Sequence, residues 1–174
     1  AEAFSTSVRA PAHIVASLAR DQIEIATYIL GRSVLLSDSD LVDCVAGGGS
    51  EAQSVIAGRA RVSPAVCAAI IEVGETRAVL ALLANTQAKI MAVSYRRLIE
   101  RLGHVAEVRA LLTDDERLPA DCRHALAVRT AEVLCRMDIV QALMGERRAE
   151  RITHEACVRA SIDLVAATPA EEYP

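Results

Sequence analysis

The chain has 174 residues, 52% of them apolar but only 2% aromatic, and carries a net charge of −4 at neutral pH. One domain's length and an aliphatic core follow. With an isoelectric point near 5.6 and neither half of the chain basic, the composition argues against a nucleic-acid binder, which shows a cationic stripe.

Nineteen basic residues include a single lysine, Lys89; the arginine bias reads as genome composition rather than chemistry. No 18-residue uncharged apolar run occurs, so no membrane span is expected. No signal peptide is visible at the start. The five cysteines are odd in number and form no CxxC, which fits free thiols in a reducing cytoplasm. All five are read as small buried apolar residues. The 32 alanines, with Leu, Val and Ile, favour helix nearly throughout.

Residues 36–61 and 62–87 align at a shift of 26. Ser37 falls on Ser63, Ile56 on Leu82 and Arg59 on Asn85. A fainter copy precedes them, with Ile29-Leu30-Gly31-Arg32 echoing Ile56-Ala57-Gly58-Arg59. A period of this length marks stacked helix pairs that bury their apolar faces only against neighbours. Ser37 is expected to cap a helix through Leu41 and Val45 that closes at Gly47-Gly48-Gly49. Ser50 and Gln53 have the spacing of a capping box for the next helix. Ser63-Pro64 caps a helix bearing Val66, Ile70 and Ile71 that stops at Gly74. Residues 75–84 form its partner. Longer helices follow: 87–102, ending at Gly103; a shorter one through Leu112; 119–136; 137–144, ending near Gly145; and 146–167, with Thr153 an open break point and Pro169 beyond its end. No strand alternation appears, so the fold is all-α, with about 10 to 11 helices in one helical-repeat domain over 1–174: short repeats over about 20–87, longer helices over 88–168.

Arg32, Arg59 and Asn85 recur near the ends of successive second helices, where a cation or amide can satisfy orphan carbonyls as a ladder between repeats. Arg96, Arg97 and Arg101 on one helix, and Arg147, Arg148 and Arg151 on another, could contact an acidic partner, a phosphate or a nucleotide. Interleaved carboxylates make solvated faces the simpler reading, with pairs such as Glu132–Arg136. His154 and Cys157, at i, i+3, could face one metal ion, but no further ligands lie nearby and none is expected. His13, His104, His124 and His154 are scattered, and no catalytic triad can be argued. Gly47-Gly48-Gly49-Ser50 lacks the strand and Lys of a phosphate loop. No cofactor is implied.

The segments LGRSVLLSDSDLVDCV, AGRARVSPAVCAAIIEVGETRAVLALLANTQAKI, LPADCRHALAVRTAEVL and RAERITHEACVRASIDLVAA, in that order, resemble a bacterial family known as domain of unknown function 2336. The second is also similar to leucine-rich-variant repeats. The resemblance implies a right-handed, HEAT-like α-solenoid and brings no catalytic residues. It also implies further helices beyond residue 174, so the chain is expected to be the N-terminal part of a longer protein with an exposed edge that favours dimerisation. The expected function is a non-catalytic scaffold or protein–protein interaction module. Its partner would be another protein or a second copy. Alternatives are an anion-sensing regulatory domain using the Arg clusters and, further off, a HEAT-like nucleic-acid-processing enzyme.

Overall fold

In the computed structural model, residues 23–167 and positions 11, 14, 17 and 19 are described. The described residues form ten helices and no strand. They fall into two compact units, Ala1–Ser94 and Tyr95–Pro174.

The first unit is a stack of short helices: α1 (Ile23–Arg32), α2 (Asp38–Gly47), α3 (Ser50–Ala57), α4 (Pro64–Val73) and α5 (Thr76–Ala84). Local chemistry sets their ends. Ser37 caps α2 by accepting from the Asp40 N–H, and the Asp40 carboxylate accepts the Ser37 N–H, a reciprocal box. Ser63 accepts from the Val66 N–H ahead of Pro64 at the first helical position of α4. Gly74 ends α4 with its N–H on the Ile70 carbonyl. A Cβ there would stand 2.4 Å from that oxygen, which is why the close approach takes glycine.

These helices stack in two layers. The odd-numbered members pack in series, α1 on α3 and α3 on α5, while α2 packs on α4. This serial packing is the solenoid-like arrangement that the 26-residue period calls for. The filling is aliphatic: Ile29, Val45, Ile56, Val66, Ile70, Val79 and Leu82 expose no surface. Each such side chain contributes roughly 1.5–3 kcal/mol by leaving water.

Two expectations are corrected here. Ser50 and Gln53 do not form a capping box: Gly49 is the N-cap of α3 and makes no side-chain cap bond. Gln53 is buried instead. Its Nε2 donates to the Val45 and Gly48 carbonyls at 2.9 and 3.3 Å, and its Oε1 accepts the Glu75 N–H at 2.9 Å. The glycine run after α2 leaves carbonyls that a buried amide must satisfy, and that need outweighs a surface cap. Nor does the following helix begin at 87. The Lys89 N–H donates to the Val62 carbonyl, and Ala88 makes a parallel bridge to Val62. Residues 88–89 are held extended, so the helix starts at Ala92.

That helix is α6 (Ala92–Leu102). The second unit continues with α7 (Ala106–Asp114), α8 (Ala120–Cys135), α9 (Asp138–Met144) and α10 (Glu146–Ala167). The last is unbroken at Thr153; Pro169, its expected stop, lies outside the described residues. Gly145 separates α9 from α10 at φ 76°, a left-handed turn that favours glycine. Within this unit α8 packs against α7, α9 and α10, and α9 also packs on α10. Tyr95, Leu98, Ile99, Val108, Leu112 and Cys122 are buried. After Leu126, the only described apolar side chain that is buried is Ala149.

Candidate functional site

The ladder residues lie in the first unit. The Arg59 guanidinium donates to the Leu30 and Ser33 carbonyls of the preceding copy. Asn85 Nδ2 donates to the Ala57 and Arg59 carbonyls, both at 2.8 Å. Each rung thus returns to the end of the helix one repeat earlier and satisfies carbonyls that have no partner within their own helix. Burial lowers the pKa of Arg59, and Asp38 opposes that shift. Arg32 is exposed in the last turn of α1. The positions 26 residues before it lie outside the described residues.

Both arginine clusters are in the second unit. Arg96 pairs with Asp121 at 2.5 Å, Arg97 with Glu100 at 3.5 Å, and Arg151 with Glu155 at 3.9 Å. The Arg96 hydrogen bond and charge hold Asp121 below the usual carboxylate range. Arg101 is half-buried in the last turn of α6, and Arg147 and Arg148 are exposed at the start of α10. Glu132 pairs with Arg129 at 2.9 Å rather than with Arg136.

The thiols divide by burial. Cys44, Cys67 and Cys122 are buried, while Cys135 and Cys157 are partly exposed, so the expectation of five core cysteines holds for three. Burial and the neighbouring Asp121 push the Cys122 thiol up to about 11, which leaves it protonated and unreactive at neutral pH. The two partly exposed thiols line an open groove of about 680 Å³ formed by α8, α9 and α10. Its walls also carry His124, Glu132, Arg136, Glu150, His154 and Ser161. Sequence spacing places His154 and Cys157 together, but nothing in it brings His124 to Ser161, 37 residues away. Ser161 Oγ lies 3.0 Å from His124 Nδ1 and gives its proton to the Cys157 carbonyl at 2.7 Å, the usual bond of a helical serine to the preceding turn. Among the described residues no cluster of three His, Cys, Asp or Glu side chains is placed to hold a metal ion. His104 is exposed ahead of α7, and His13 lies outside the described residues.

Helices α9 and α10 carry several exposed apolar side chains. Helix α9 has no buried residue. Ile139 is 61% exposed, Leu143 78% and Ile162 64%, and Met137, Met144, Ile152 and Val158 are also exposed. The i, i+4 spacing of Ile139 and Leu143 sets both on one face of α9. Sequence patterning shows the aliphatics there but not their exposure in the fold.

Among the described residues no helix is long and apolar enough to cross a membrane. No curated protein and no solved structure matches the chain. The model of a family described as uncharacterised protein conserved in bacteria, domain of unknown function 2336, matches residues 25–173, and the chain belongs to that family.

Proposed function

We propose that this chain is a non-catalytic protein–protein interaction module of the bacterial cytoplasm that receives another protein on the outward side of α9 and α10. The supporting observation is the exposed aliphatic surface there. Single exposed apolar side chains are ordinary on soluble proteins, whereas Ile139 and Leu143 share one face of a helix that buries nothing. A helix of seven residues that buries nothing is poorly held by its own packing. A partner laid over Ile139 and Leu143 would supply the missing burial. The anion-sensing alternative has less support, because Arg96, Arg97 and Arg151 already face carboxylates of the same chain.

The test is capture from a lysate of the source bacterium on immobilised protein, comparing the native chain with Ile139→Glu/Leu143→Glu. Loss of the captured proteins with an unchanged melting temperature supports the module. Equal capture by both overturns the placement of its surface.

A further inference from the structure

We infer that one partner of this surface is a second copy of the same chain, docked through an antiparallel pairing of the two α10 helices. The inference rests on the interaction-module reading and names an occupant for part of that surface. It is carried by the order of residues along the exposed face of α10. Arg148, Ile152, Glu155, Arg159 and Ile162 follow one another at steps of three or four, so they form one stripe. All five are exposed. The opposite side of the helix carries the groove-lining Cys157 and Ser161.

The stripe is self-complementary when reversed. Ile152 and Ile162 each lie five residues from Cys157, and Glu155 and Arg159 each lie two residues from it. A two-fold axis level with Cys157 therefore sets Ile152 against Ile162 of the other copy, and Glu155 against Arg159, each twice. A parallel pairing would set Glu155 against Glu155 and Arg159 against Arg159, so the charge order selects the antiparallel arrangement. Closed two-fold contacts of this kind use the same patch on both partners. From Ile152 to Ile162 the helix rises about 15 Å, so four isoleucines flank two ion pairs over a short seam. The apolar layers supply the burial, and the ion pairs fix direction and register more than affinity. Glu155 is free to re-pair: its contact with Arg151 is long at 3.9 Å, with both side chains about 70% exposed, and such surface pairs contribute little.

Sedimentation of the purified chain over a concentration series reads the pairing. Native protein is expected to form a dimer as concentration rises. Glu155→Arg alone and Arg159→Glu alone each place like charges opposite one another and should weaken the dimer more than about tenfold. The double exchange Glu155→Arg/Arg159→Glu should restore it. An equimolar mixture of the two single variants should form a heterodimer, because every opposed pair is then of opposite sign. Circular dichroism of each variant reports whether α10 is kept. A native chain that stays monomeric at submillimolar concentration, or a dimer that both single variants leave unchanged, overturns the inference. Loss of lysate capture on changing Ile139 and Leu143 is a separate readout, so the self-pairing can fail while the interaction module stands.

Discussion

Ile70 and Ile139 are the same side chain on two short helices, one with no exposed surface and the other 61% exposed. The difference lies in what each helix has beside it. Helix α4 packs against α2, α3 and α5, and its Val66, Cys67, Ile70 and Ile71 are buried. Helix α9 rests on α8 and α10 but leaves its outer face to water. A stacked repeat covers each unit with the next, so the burden of covering an apolar face falls on whatever comes after the last packed helix. The first unit therefore buries its aliphatic faces, whereas the described end of the second leaves several aliphatic side chains exposed.

Substitution separates the two most sharply. Ile70→Ala is expected to lose about 2–5 kcal/mol of stability, the transfer and cavity cost of a fully buried side chain. Ile139→Ala should stay within about 0.5 kcal/mol, as surface changes do. Chemical denaturation measures both. An equal loss at the two positions would mean that the outer face of α9 is covered in the isolated protein. The ladder gives the next effect in size. Arg59→Ala removes two charge-assisted bonds and strands the Leu30 and Ser33 carbonyls, at a cost of about 2 kcal/mol. Asn85→Ala should cost about 1 kcal/mol for its neutral amide, whereas exposed Arg32→Ala should cost little. A ranking with Arg32 first would show that the repeat is not tied by these rungs.

That ladder is legible in the sequence because it is periodic: Arg59 and Asn85 occupy one register, and the carbonyls they reach belong to helix ends that the repeat itself locates. The caps at Ser37 and Ser63 are legible because they are local. Gln53 shows where local reading stops. Its spacing from Ser50 fits a surface cap, yet its amide is drawn inward by the carbonyls of Val45 and Gly48 and by a backbone N–H 22 residues on. The extended residues 88–89 are missed for the same reason, since their bridge partner Val62 is distant in sequence. In the second unit no repeat relates one helix to the next. The contact of His124 with Ser161, and the partial exposure of Cys135 and Cys157, depend on how α8 meets α10, which no spacing encodes. The exposed stripe of α10 lies between these cases. Its residues can be read off directly, but only packing tells which side of the helix they occupy.

The last effect concerns a polar contact of the second unit. Asp115 accepts the Tyr95 hydroxyl at 2.7 Å and is bound by Arg117 at 2.8 and 3.0 Å. Burial alone would raise its pKa, but the bonds from Arg117 and Tyr95 outweigh burial and hold the carboxyl below its ordinary value of 3.8. A carboxylate depressed in the folded state stabilises the fold above its unfolded pKa, and that contribution is lost as the pH falls through the folded value. Tyr95→Phe keeps the buried ring and removes one donor, so it should cost about 1 kcal/mol at neutral pH. With that donor gone the Asp115 pKa lies closer to its unfolded value, so the variant loses less of this contribution in acid than the native chain does. The gap between the two melting temperatures should therefore hold from pH 7 to about 4 and narrow as the pH is lowered further, from about 4 to about 2. A constant gap across that range would show that the Tyr95 hydroxyl does not sense the charge on Asp115.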